Sequence, residues 1–341
     1  MADSLLIRAC KRMNVERHPV WFMRQAGRYM PNYIALKNGK NILDIQKDPD
    51  ASSSIAAYAA KELGVDAAIL YSDITVPIAA CGYPIKIEEN IGPIAERTIS
   101  DYSDLDAFSD FDCNSDAPYV VENVRLTKEK IGIEMPLIGF SAAPFTLASY
   151  IVEGRPSRSF VHSKAMMLSN PDLWHALMES LSKMIINYTK AQVNAGADAI
   201  QLFDSWAGYL SIEDYKEYVK PYTKKIFATL SDKVPKIHFC ANSSALLEEF
   251  ADTGCDVIGI DKDVPISEAF YRTKSALAIQ GNLDPEIALS GGYAMEQAVS
   301  NILEESKSRN GFIFNLGHGV LKETNPENLK KIVRMVKGSS A

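Results

Sequence analysis

The sequence predicts an α/β protein, a single (β/α)8 TIM barrel with an insertion after the second strand. Three observations predict it: short apolar runs recur along the 341 residues, helix-like stretches separate most of them, and one glycine phrase repeats at helix-to-strand junctions. Eight runs read as parallel strands, at residues 19–24 (PVWFMR), 66–71 (DAAILY), 136–140 (PLIGF), 199–203 (AIQLF), 235–239 (PKIHF), 256–260 (DVIGI), 276–280 (ALAIQ) and 312–316 (FIFNL). Each is apolar on both faces, as a strand between a barrel interior and outer helices must be.

Between the strands, residues 49–63 are alanine-rich, and apolar positions in 173–193 recur at helical spacing. Residues 244–251 and 324–336 also read as helices, the latter opening on a Thr324-x-x-Glu327 capping box. Gly64, Gly196 and Gly254 stand in LGVDAAI, AGADAIQ and TGCDVIG, where glycine suits the left-handed cap of a helix turning back into a sheet. An open doubly wound sheet is the competing architecture, but no GxGxxG follows the first strand. The excursion over residues 73–118 breaks the rhythm; it reads as an insertion at the barrel mouth, with a hairpin of 85–89 and 94–98 joined through 90–93. No linker rich in Pro, Gly or Ser divides the chain, so residues 1–341 are expected to form one domain with its core at about 17–336.

The net charge of −7 argues against nucleic acid or an anionic membrane as the main partner. An anionic small molecule is still admissible where basic groups are concentrated locally. Five scattered cysteines without a CxxC pair point to a reducing compartment. MADSLLIRACKRMN lacks the apolar core of a signal peptide, and no apolar run approaches the length of a bilayer span. A cytoplasmic protein is expected.

In such a barrel the chemistry sits at the carboxyl ends of the strands. Polar residues fall at nearly every predicted exit: Arg24 with Arg28 nearby, Asp73, Ser141 and Tyr150, Asp204 and Ser205, His238 and Cys240, Asp261, Asn282, and His318. Taken singly, the two arginines read as surface residues, while Asp73 reads equally as a helix cap or a site residue and Tyr150 equally as a core tyrosine or a site residue. Trp174 and Trp206 read as packing. Together in RQAGRY, however, Arg24 and Arg28 flank Ala26-Gly27, which lets backbone approach a ligand, and guanidinium forks match carboxylates two bonds at a time.

PVWFMRQAGRYMP, AAILYSDITVP, PLIGFSAAPFTLASYIVEG, DAIQLFDSWAG, IQGNLDP and FIFNLGHGV, in this order and spacing, closely resemble the uroporphyrinogen decarboxylase family over about residues 17 to 336. The resemblance implies a cofactor-free, homodimeric barrel enzyme of haem biosynthesis that converts uroporphyrinogen III to coproporphyrinogen III. It implies a substrate site of Arg24, Gln25, Ala26, Gly27, Arg28, Asp73, Tyr150, Ser205 and His318, with Asp73 as central stabiliser. Phe140, Phe203 and Ile69 would line the apolar part of the cleft. Arg24, Arg28, Asp73, Tyr150 and His318 are the residues it marks as catalytic. This chain departs from the family's usual basic stretch after RQAGRYMP with Ile34 and Lys37, carries Tyr71 where Phe is more usual, and has Arg155 after VEG.

The rival within the same superfamily is a zinc-dependent corrinoid:thiol methyltransferase, for which His238, Cys240 and His318 are ligand types of the right kind. Those enzymes lack RQAGRYMP. A barrel that only binds or carries a tetrapyrrole is the non-catalytic alternative.

Overall fold

A computed structural model of the chain describes residues 4–88, 91–157, 159–242 and 244–340. Among them, seven parallel strands form one sheet in the order β1-β4-β5-β6-β7-β8-β9. These are β1 (Ala68–Ile69), β4 (Leu137–Ala142), β5 (Ala199–Phe203), β6 (Lys236–Phe239), β7 (Val257–Gly259), β8 (Ala278–Leu283) and β9 (Phe312–Leu316). Between β1 and β4 in the chain lies a separate antiparallel hairpin of β2 (Ile85–Glu88) and β3 (Gly92–Ala95). It is shorter and differently registered than expected, pairing Ile85 with Ala95; residues 89 and 90 of the expected turn lie outside the described residues. The hairpin leans on helix Pro144–Glu153, with the Ala95 N–H donating to the Gly154 carbonyl at 2.9 Å.

The expected strand at 19–24 is the main departure. Only Val20 makes a bridge, to Phe314, and the chain then turns at Arg24, whose φ is +60°. Residue 20 nevertheless lies between the two edges of the sheet. Phe314 N–H donates to the Pro19 carbonyl (2.9 Å), Trp21 N–H to the Phe314 carbonyl (3.3 Å), and Asp66 N–H to the Val20 carbonyl (2.8 Å).

The repeated glycine phrase explains how neighbouring segments are aligned. Gly64 and Gly196 cap their helices with positive φ, as expected, whereas helix Leu247–Ala251 is capped at Asp252 and Gly254, also of positive φ, lies in the turn beyond it. Two residues after each stands an aspartate that grips the segment ahead of it by both backbone groups. Val20 N–H donates to Asp66 Oδ2 (2.9 Å), Leu137 N–H to Asp198 Oδ2 (2.7 Å), and Lys236 N–H to Asp256 Oδ2 (2.8 Å). The aspartate N–H groups donate back to the same residues' carbonyls, each at 2.8 Å. A carboxylate accepting a backbone N–H is a charge-assisted bond, stronger than the neutral ladder beside it. The phrase is therefore a register clamp used three times.

Register decides which residues face inward, because side chains alternate along a strand. Gly139 faces the helices: a Cβ there would meet Gln192 of helix Pro171–Ala195 at 2.5 Å. Gln192 grips the backbone N–H and carbonyl of Phe140 at 2.8 and 2.9 Å, so the Phe140 side chain points the other way. On that inner face the Trp21 indole N–H donates to Gln280 Oε1 (2.9 Å), and Gln280 Nε2 donates to Gln201 Oε1 (3.0 Å). Gln201 is on β5 and Gln280 on β8, with two strands between them in the sheet. Direct contact between their side chains requires the sheet to curl.

Helix Pro49–Leu63 matches the expected bounds, and the expected 173–193 helix runs Pro171–Ala195. The segment at 244–251 begins as a 3-10 turn, Ser244–Leu246, before helix Leu247–Ala251. The Thr324–Glu327 capping box is not formed. Asn325 is the N-cap, its side chain accepting the Glu327 N–H at 3.0 Å, and Pro326 opens the helix Pro326–Gly338. Asn is as good a cap as Thr, and Pro at the first helical position favours the later start. No helix among the described residues is long and apolar enough to cross a membrane.

Asp256→Ala leaves the buried Lys236 N–H without its carboxylate. It is expected to cost about 1–3 kcal/mol, read as a lower urea midpoint at unchanged slope.

Candidate active site at the carboxyl edge of the sheet

The inner face ends in an aromatic arc. Phe140 meets Phe203 edge-to-face at 5.4 Å, Phe203 meets Phe239 at 5.9 Å, and Phe239 meets the His318 ring at 6.1 Å. Ile69, in register with Ile138, continues the apolar lining on β1. His318 lies in the turn after β9, and Gly319 behind it allows close approach: a Cβ there would fall 2.4 Å from Arg24 Cδ. Arg24 is thereby packed against the His318–Gly319 turn.

The charged side of the hollow is built from different elements. Asp73 follows β1, and its Oδ1 accepts the Thr75 N–H (2.9 Å) and hydroxyl (2.5 Å), which hold the carboxylate in a tight Asx turn. Tyr150 comes from helix Pro144–Glu153 and is 7% exposed. Its phenol is pushed up to about 12, first by burial and then by the charge of Asp73, with the Trp206 indole and the Arg24 cation opposing. Burial takes the His318 imidazole down to about 4, with Arg24 pushing the same way. Tyr71 feels both Asp73 and Arg28. Arg24 thus acts on both Tyr150 and His318, and Asp73 on both Tyr150 and Tyr71, with Arg28 reaching the last of these. At neutral pH the phenol keeps its proton and the imidazole is uncharged, so both act as hydrogen-bonding groups.

Other residues expected here divide. Ser205 is half-buried in the turn after β5, next to Trp206, whose ring meets Tyr150 at 6.2 Å. Ala26 and Gly27 are half-buried in the Arg24–Arg28 loop, and a Cβ on Gly27 would meet the Tyr29 ring at 2.8 Å. Gln25 is 1% exposed and its side chain is spent on the fold, accepting the Phe22 N–H (3.3 Å) and donating to the Ala67 carbonyl (3.2 Å). Asn282 likewise holds the carbonyls of Asp261 and Val264 at 3.1 and 2.7 Å. Trp174 is core packing, its indole donating to the Tyr218 carbonyl at 3.0 Å.

Sequence reasoning read His238, Asp204 and Cys240 as exit residues, and alternation corrects this. His238 sits one residue from the inward Phe239 and so faces the helices, packed between Phe227 and Phe250 at 5.7 and 4.5 Å. Its Nε2 pairs with Asp204 Oδ2 at 3.3 Å, both side chains being fully buried. Cys240 is buried, and burial followed by Asp204 drives its thiol well above the ordinary range. His318 stands on the opposite face of the sheet. The three residues do not converge on a shared zinc, and no group of three or more His, Cys, Asp or Glu among the described residues could hold a metal. Trp206 was taken as packing alone; its place directly after Ser205 in FDSWAG was the only hint of more.

A parallel sheet whose carboxyl edge opens on an apolar arc and a set of titratable groups has the layout of an α/β enzyme. The comparisons with known proteins narrow that class. The sequence model described as uroporphyrinogen decarboxylase (URO-D) matches residues 1–339. A uroporphyrinogen decarboxylase from Salinispora tropica is 43% identical over 336 residues, covering 98% of this chain and 90% of that protein. One from Bacillus subtilis is 42% identical over 336 residues, covering 98% and 94%. Among solved structures, a methyltransferase from Methanosarcina mazei superposes with a TM-score of 0.82 at 21% identity, covering 98% of this chain and 97% of its own, which speaks to the fold alone. The chain belongs to the uroporphyrinogen decarboxylase family, and it is a carboxy-lyase.

Arg24 and His318 are neighbours through charge as well as packing. Replacing Arg24 with Met removes a cation that disfavours imidazolium, so the His318 ring is expected to titrate at higher pH than its wild-type value of about 4. NMR titration of the ring protons checks it, and an unmoved midpoint would contradict the contact.

Proposed function

We propose that this enzyme removes the four acetate carboxyls of uroporphyrinogen III as CO2, leaving methyl groups and giving coproporphyrinogen III, without a cofactor. On this reading the Val20 segment closes the curled sheet into a (β/α)8 barrel of one domain, and the hairpin region is an insertion at its mouth. Support for closure comes from Asp66, which grips Val20 as Asp198 and Asp256 grip true strands. We further propose a homodimer working in the cytoplasm.

The single observation that supports the site assignment is that the charges of Asp73 and Arg24 both act on the buried Tyr150 phenol, while Arg24 also packs against the turn that carries His318. Loss of CO2 leaves an electron pair that needs a sink, which most decarboxylases take from a cofactor. A pyrrole protonated at its α-carbon is its own sink. The C–C bond to the carboxylate breaks, its electrons enter the cationic ring, and CO2 departs. Protonation of the exocyclic carbon then makes the methyl group, and loss of the α-proton restores the pyrrole. On this reading Asp73 accepts the inward pyrrole N–H groups and balances the ring cation, and the Thr75 bonds hold its carboxylate beforehand. Preorganised charge of this kind contributes most where water is excluded. Arg24 and Arg28 grip the remaining carboxylates, Tyr150 and His318 orient substrate as neutral hydrogen-bonding partners, and Gln25 contributes through its backbone. The backbone at Ala26-Gly27 and the Ser205 turn complete the polar wall. Ile69, Phe140 and Phe203 receive the apolar faces of the macrocycle.

The test is anaerobic incubation with uroporphyrinogen III, with chromatography of the oxidised products. Wild-type protein is expected to yield coproporphyrinogen III; binding without CO2 release would establish a carrier instead. Asp73→Asn keeps the shape but loses the charge, and is expected to lower kcat by about a hundredfold or more while porphyrin binding survives.

A further inference from the structure

The segment that carries Arg28 is anchored at two points, Met30, which is 1% exposed, and the short helix that follows it. Helix Pro31–Lys37 begins three residues after Arg28, and Tyr33 is its one buried residue. Its N-cap, Met30, makes no side-chain cap bond, and it ends at Asn38 in the left-handed conformation. Ile34, on the next position, is 58% exposed. A helix this short has no stability of its own, so its position is set by what its buried side chain meets.

Tyr33 meets Tyr71. The two hydroxyls are 2.9 Å apart in a buried setting, and the rings cross edge-to-face at 5.8 Å. Tyr71 is itself held from behind, its carbonyl accepting the Ser52 hydroxyl at 3.0 Å and the Gln46 side-chain amide. Two residues further on is Asp73. The charges of Asp73 and Arg28 both act on the Tyr71 hydroxyl, the first raising its pKa and the second opposing it. One buried phenol pair thus joins the segment that carries the anion to the segment that carries the cation.

We propose that the Tyr33–Tyr71 hydroxyl pair is a positioning device that fixes the segment carrying Arg28 against the segment carrying Asp73 and thereby sets the Arg28 grip on a substrate carboxylate. The inference rests on the decarboxylase reading above. A guanidinium fork binds a carboxylate through two parallel bonds, so its grip is sensitive to angle and to small displacements. Neither phenol need touch substrate. Each acts through the backbone that carries Arg28 or Asp73.

The test compares Tyr33→Phe, Tyr71→Phe and the double variant with wild type, measuring KM and kcat separately for uroporphyrinogen III together with the thermal midpoint. Phe keeps the ring and its packing. Either single variant is expected to raise KM by about five- to tenfold with kcat within about twofold, the signature of lost binding shared by ground and transition states. The double variant is expected to be no worse than the worse single, because both lose the same bond. In an Arg28→Ala background, Tyr71→Phe is expected to leave KM unmoved. A lowered thermal midpoint with wild-type KM in both singles would make the pair purely structural and overturn the proposal. So would an equal rise in KM with and without Arg28, additive losses in the double variant, or a fall in kcat alone. A wild-type protein that fails to turn over would defeat the decarboxylase reading, and this proposal with it. Active wild type with unaffected single variants defeats this proposal alone.

Discussion

Three aspartates, each two residues after a positive-φ glycine, fix the register at three junctions of this structure, two of them between neighbouring strands of the sheet. Asp66, Asp198 and Asp256 accept the N–H of a neighbouring segment and return their own N–H to its carbonyl. A slip of one residue would exchange the two faces of a strand. With the clamps in place, Phe140, Phe203 and Phe239 turn inward with Gln201 and Gln280, while Gly139 and His238 turn to the helices. The Trp21–Gln280–Gln201 chain then draws distant strands together across the concave face. The hollow at the mouth rests on that layer.

The electrostatics of the hollow follow from partial dryness. Burial keeps Tyr150 protonated and His318 neutral, so charge at the mouth belongs chiefly to Asp73 and the two arginines. Arg24 and Arg28 are exposed and Asp73 is half-buried, so these charges meet solvent while the groups they act on, Tyr150 and His318, are largely shielded from it. The surroundings of Asp73 are themselves constrained. Thr75 fixes its carboxylate from one side, and the Tyr71 backbone just before it is tied to Ser52 and Gln46. An anion held by fixed dipoles needs no reorganisation when a ring cation develops opposite it.

Much of this was legible in the chain order of the residues. The runs at 199–203 and 312–316 became strands with those bounds, because short, mainly apolar runs of strand length that include Ile and Phe are too short for a buried helix. The run at 19–24 looked equally apolar, yet only Val20 bridges. Arg24 must turn there to lie along the Gly319 loop, and composition does not record that contact. Thr324 lost the cap to Asn325 because a helix end is decided by competition between adjacent residues of similar propensity. The repeated glycines were visible in the sequence, but nothing local marks the aspartates two residues on as clamps. Their partners lie on other strands.

By itself, the sequence determined the class of fold, the family, and the set of polar residues that follow strands, since those depend on local pattern and on motif order. Only the tertiary structure decided which of these residues share a space. His238 and His318 are both histidines at strand ends, and they stand on opposite sides of the sheet. Tyr33 and Tyr71, 38 positions apart in the chain, meet hydroxyl to hydroxyl. The face a side chain occupies is set by strand register, and register is set by bonds to neighbouring strands, which lie far away in sequence.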